Sequence, residues 1–203
     1  MNTDPWIQAD VWFWSDSKWK EGRVVGYEVV NPLIKQVKFK ISCEKPNGEP
    51  TVVEITTKSK NNDSLEYDWV KKRDNDPQKM SKVTDMTSLK YLNEPEIIEC
   101  MRQRFLAKEI YTSTGSILFA VNPFMRLDHK YSPGLLQQYH EASDTVALRK
   151  LGPHVYLTGE LAYRKMMKGE TPRNQSILVN GESGAGEFLK TLLLMTNHNE
   201  IGT

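Results

Sequence analysis

Gly181 and Gly186 stand with four residues between them, in the run Gly181-Glu182-Ser183-Gly184-Ala185-Gly186. This is the glycine spacing of a phosphate-wrapping loop, G-x-x-x-x-G-K-[ST]. The chemistry it supports is anion binding. Glycines let backbone N–H groups converge on an oxyanion with no Cβ in the way, and a helix after the loop offers its positive end. The pattern then calls for Lys and Ser or Thr, but the next residues are Glu187 and Phe188. In such a loop the lysine contacts the β- and γ-phosphates and the hydroxyl ligates magnesium. The chain therefore carries an anion cradle with an acid where the ammonium belongs. Lys190 starts roughly 4.5 Å farther along a helix axis and is not expected to replace it.

Other chemistries find little support. His129, His140, His154 and His198 fall in no metal-ligand spacing, and Cys43 and Cys100 form no C-x-x-C pair. Two isolated cysteines suggest reduced thiols in the cytosol. A net charge of +1 gives no bulk attraction to nucleic acid or to an anionic membrane. The one basic run, Lys71-Lys72-Arg73, is ringed by Asp68, Asp74 and Asp76 and reads as a solvated face. No apolar stretch approaches the length of a membrane span, and the first residues carry neither a basic nor an apolar signal region.

The elements that must position the loop come in two styles. From about residue 8 to 60 the pattern is all-β. Val11 and Phe13 alternate with Trp12 and Trp14, a second strand starts at Trp19 with Gly22 and Gly26 as bulge or turn points, and Val37, Phe39 and Ile41 alternate with lysines. Pro46-Asn47-Gly48 predicts a hairpin turn, with Val53 and Ile55 on the returning strand. Trp12, Trp14 and Trp19 are expected to pack the barrel core or its seam with the next domain. Residues 61–81 read as linker.

Past residue 82 strands and helices alternate, which predicts an α/β layer with a mostly parallel sheet. Asn93 and Glu96 have the spacing of a capping box, opening a helix with Ile97, Ile98, Met101 and Phe105 on one face. Ser116–Val121 reads as a strand covered on both faces. Helices are expected from about Pro133 to His140 and from about His154 to Lys168. Ser176–Asn180 is the predicted strand feeding the phosphate loop, and Leu189–Met195 the helix after it.

Four ordered motifs in residues 82–186 resemble the amino-terminal part of a myosin motor: Leu89-Lys90-Tyr91-Leu92-Asn93-Glu94-Pro95, Ile110-Tyr111-Thr112 through Val121-Asn122-Pro123-Phe124, Pro153-His154-Val155-Tyr156 with Ala162-Tyr163, and Asn174 through Gly186. The barrel, residues 6–60, resembles the SH3-like domain that precedes many such motors. The resemblance implies an α/β fold: an SH3-like all-β barrel (6–60), a linker (61–81), and an incomplete P-loop NTPase domain (82–203). It further implies ATP with Mg2+ as cofactors, actin filaments as partner and a cytoplasmic, cytoskeletal location. Nucleic acid and membrane insertion are not expected. By the family pattern Asn122, Pro123, Arg126 and Tyr131 line the adenine side, Tyr131 sitting one residue later than usual. Gly181, Glu182, Ser183, Gly184, Ala185 and Gly186 wrap the phosphates.

The family writes the loop G-E-S-G-A-G-K-T-E, so the simplest alignment here deletes Lys-Thr before Glu187. Strings resembling the family's N-x-N-S-S-R-F and D-x-x-G-F loops do not occur in the 203 residues. The expectation is a truncated motor that hydrolyses no ATP alone. The alternatives are a non-catalytic interaction module and a weak nucleotide-binding pseudo-enzyme that uses the adenine side.

Overall fold

The computed structural model describes residues 5–59, 67–74, 76–168, 174–182 and 184–186. Its architecture is α/β: an amino-terminal antiparallel sheet followed by helices. Contacts divide the chain into two compact units, Met1–Pro77 with Lys90–Glu99, and Gln78–Leu89 with Cys100–Thr203.

The first unit is a five-stranded antiparallel sheet in the order β4-β3-β2-β1-β5. Its strands are β1 (Asp10–Ser15), β2 (Lys18–Asn31), β3 (Gln36–Glu44), β4 (Pro50–Lys58) and β5 (Val70–Lys72). This all-β sheet fits an SH3-like region. Its fifth strand comes from the stretch that reads as linker in the sequence. Period-two patterning places Val37, Phe39 and Ile41 inward, at 3% exposure or less. Phe13 and Phe39 are fully buried, each contributing about 1.5–3 kcal/mol by burial.

The Pro46-Asn47-Gly48 turn forms as expected, with Gly48 at φ +82° and Lys45 N–H donating to Glu49 O at 2.9 Å. The pairing of β2 with β3 slips between Val24 and Gly26, a bulge beside one of the two expected glycines. Gly22 has a different reason to be glycine. A Cβ there would lie 2.4 Å from Ile41 Cγ2 and 2.9 Å from Ser42 O, so the two strands meet where no side chain fits.

Three tryptophans on β1 and β2 serve packing. Trp12 is buried, while Trp14 and Trp19 are half-buried and meet edge to face at 5.3 Å. A short helix α1 (Pro77–Ser81) precedes helix α2 (Glu94–Leu106), whose first residues belong to this unit and meet Trp12 through Glu96. Asn93 caps that helix, its Oδ1 accepting from Glu96 N–H at 3.2 Å. The reciprocal half of the expected box is not made. The Glu96 carboxylate instead accepts from Trp12 Nε1 at 2.6 Å and from Asp74 N–H at 2.7 Å.

From Cys100 on, α2 belongs to the second unit, and the buried face of the whole helix differs from the apolar stripe read in the sequence. Glu96, Glu99, Cys100 and Arg104 are buried, while Ile98 and Phe105 are exposed. Arg104 explains the reversal. Its guanidinium donates to Thr112 Oγ1 at 2.8 Å, Ser81 O at 3.0 Å and Tyr111 O at 2.8 Å, tying two segments to the helix.

The expected both-faces-covered strand is β7 (Ile117–Ala120), one arm of a hairpin with β6 (Tyr111–Thr114). Its residues alternate between exposed and half-buried. The two-residue connection Gly115-Ser116, with Gly115 at φ +58°, joins only antiparallel neighbours. The mostly parallel sheet is thus not formed among the described residues; parallel pairing is confined to one bridge, Asp85 with Ser113.

Three helices complete the unit: α3 (Pro133–Glu141), α4 (Thr145–Lys150) and α5 (Val155–Met167). Two of these match the expected spans. Ser132, Asp144 and His154 cap them through side chains. The core gathers Ile110, Tyr111, Leu127, Tyr139, Leu148, Val155 and Tyr156 around buried His154.

Candidate phosphate loop and nucleotide site

Residues 174–182 form no strand and are exposed throughout, so the strand expected at Ser176–Asn180 is absent from the described structure. A β-strand needs a partner to satisfy its N–H and C=O groups, and no pairing involves these residues. Ser183 and the helix expected at Leu189–Met195 lie outside the described residues.

The loop turns through two left-handed glycines, Gly184 at φ +92° and Gly186 at φ +81°. Both conformations favour glycine, as the loop pattern requires. Ala185 N–H donates to Glu182 O at 2.9 Å, closing a turn. Asn122 Nδ2 donates to Gly184 O at 2.7 Å, across sixty-two positions of sequence. Its Oδ1 accepts from Phe124 N–H at 2.9 Å, fixing the orientation of the amide. Two of the expected site residues are therefore brought together, by a bond that positions the loop.

The others are engaged elsewhere. Pro123 is half-buried beside Asn122. Arg126 is exposed, paired with Asp128 Oδ1 at 3.1 Å from Nη2. Tyr131 belongs to the aromatic core: its hydroxyl lies 3.1 Å from that of Tyr111, and its ring 5.8 Å from His154. Gly181 and Glu182 are exposed.

His154 is a buried titrating group in the core beside Tyr131. Its Nδ1 accepts from Tyr156 N–H at 3.1 Å, so the ring proton sits on Nε2, which donates to Lys130 O at 2.9 Å. Burial lowers its pKa to about 4, so the ring is neutral near pH 7. Burial raises the Tyr139 hydroxyl to about 12. Both act as packing groups. In the sequence His154 opens a helix, belongs to the Pro153-His154-Val155-Tyr156 motif and reads as an ordinary surface or satisfied core position; its neighbours Tyr111 and Tyr139 lie outside that motif and leave no local signal.

These residues do not fit ATP with its magnesium. One loop N–H is consumed within the turn, and the two residues directly after Gly186 are Glu187 and Phe188, neither a lysine nor a hydroxyl residue. Among the described residues there is also no His, Cys, Asp or Glu cluster able to hold a metal ion, nor a helix long and apolar enough to cross a membrane.

The family described as myosin head (motor domain) matches residues 83–200. The chain belongs to the myosin motor-domain family. Myosin relatives in plants agree. Myosin-9 of Arabidopsis thaliana is 41% identical over 152 residues, which is 75% of this chain and 9% of the relative. Myosin-8 of the same plant is 50% identical over 115 residues, 57% of this chain and 7% of the relative. Protein OPAQUE1 of Zea mays is 47% identical over 120 residues, 59% of this chain and 8% of the relative. The chain is a myosin-like motor fragment, and the matched stretch spans less than a tenth of each of these relatives.

Proposed function

We propose that this myosin segment retains the scaffold of a nucleotide-binding motor but does not hydrolyse ATP by itself. The observation that carries the reading is the run Gly186-Glu187-Phe188 in place of the Gly-Lys-Thr of a phosphate loop. Loss of one charged hydrogen bond costs about 1.5–3 kcal/mol, and Glu187 adds repulsion to a triphosphate. The adenine side, with Asn122 and Pro123 beside the loop, supports at most weak nucleotide binding, near millimolar or about −4 kcal/mol.

Family membership suggests actin filaments as the track of the longer relatives, ATP with Mg2+ as their fuel, and the cytoskeleton of the cytoplasm as their place. In this segment those roles reduce to scaffolding. Steady-state phosphate release by the full chain, with Mg2+ and with or without filamentous actin, tests the reading. The expected rate equals that of a chain lacking residues 181–186. Metal-dependent turnover above that control overturns it.

A further inference from the structure

The second unit contains a cleft of about 450 Å³ that the phosphate loop does not line. Its volume lies in the range of small-molecule sites. Ile117, Leu118, Leu157 and Leu161 give it apolar walls, and Ser113, Ser116 and Thr158 bring hydroxyls. Four cationic residues reach it, Arg149, Arg164, Lys165 and Lys168, and among the described residues no carboxylate lines it.

Arg164 is already committed, to Glu160 Oε1 at 2.7 Å and to His140 O at 2.9 Å. Arg149 acts on Asp85 only at a distance, helping to hold that carboxyl below its ordinary range after the hydrogen bonds from Thr87. Lys165 and Lys168 make no ion pair within the described residues. Three cations thus converge on a partly apolar hollow that no described carboxylate residue lines, in a chain whose net charge is only +1. Concentrating like charges beside low-dielectric walls raises the local potential and favours an anion there.

We propose that this cleft binds a phosphate ester carried on a compact apolar body. Arg149, Lys165 and Lys168 take the phosphate, and the leucines and Ile117 take the body. Neither group alone suffices, which separates this ligand from a bare ion.

The test uses the full chain and methyl NMR of Leu and Ile, titrated with phenyl phosphate, inorganic phosphate and phenol. Phenyl phosphate is expected to shift Leu157, Leu161 and Ile117 saturably, with inorganic phosphate and phenol at least about tenfold weaker. Lys165→Glu with Lys168→Glu lowers phenyl phosphate affinity by about tenfold or more. Lys35→Glu with Lys58→Glu, an equal charge change on the sheet unit, leaves it unchanged. An unaltered amide spectrum shows that both double variants fold. Vesicles of phosphatidylcholine with phosphatidate are expected not to compete with phenyl phosphate; competition assigns the phosphate to a lipid surface and overturns the soluble-ligand proposal. Absence of saturable shifts, or equal loss in both double variants, overturns the site.

Discussion

Trp12 Nε1 donates a 2.6 Å hydrogen bond to the Glu96 carboxylate, joining strand β1 to the start of helix α2 across eighty-four positions. The carboxylate is wholly buried and accepts a second bond, from Asp74 N–H at 2.7 Å. Arg73 stacks over the same indole, 4.7 Å from its centroid. The pair thus holds the helix start against the sheet of the first unit.

Replacing Glu96 by Gln leaves an amide N–H facing one of two backbone or indole donors. A loss of about 1–3 kcal/mol is expected, read from urea denaturation at pH 7. Burial raises the Glu96 pKa above its ordinary value, against the opposing pull of the Trp12 bond. A raised folded pKa means that the group's contribution is fullest below 4.5 and declines as pH climbs above it. Subtracting the Glu96→Gln profile from the native one is expected to isolate that decline.

His154 produces the opposite slope. Its pKa falls from 6.5 to about 4 on folding. Stability from the neutral ring is therefore complete above pH 6.5 and is lost as pH drops toward 4, by about 3 kcal/mol in total. His154→Asn keeps a capping acceptor for Tyr156 N–H but removes the ring packed 4.6 Å from Tyr111. The variant is expected to be less stable at pH 7.5 yet flatter between pH 6.5 and 4, as followed by near-UV circular dichroism.

Arg104 is held by its planar fork. Lysine carries the charge but cannot reach Thr112, Ser81 and Tyr111 together. Arg104→Lys is expected to lower stability by about 2 kcal/mol and Arg104→Met by about 3–5 kcal/mol. Protection of the β6 amides in hydrogen exchange is the direct readout, since two of the three acceptors belong to that strand.

Locally encoded features were legible in the sequence. The Pro46-Asn47-Gly48 turn, the alternation of Val37, Phe39 and Ile41, and the spans of α3 and α5 each come from a few adjacent residues. What escaped was fixed by distant partners. Glu96 has the spacing of a capping box but is claimed by Trp12. The stripe of Ile98 and Phe105 faces outward because Arg104 turns the polar side of α2 inward. Ser176–Asn180 has strand composition but no paired neighbour in the described structure. The family pattern places Asn122 on the adenine side, and its bond to Gly184 O, a contact with a distant partner, is not legible in that pattern.

The decisive measurement is equilibrium binding of a fluorescent ATP analogue to the full chain, with and without magnesium, beside a chain with Lys-Thr inserted between Gly186 and Glu187. The account predicts millimolar or weaker binding by the native chain, indifferent to the metal, and tighter, magnesium-responsive binding after the insertion. Micromolar, magnesium-dependent binding by the native chain would contradict it.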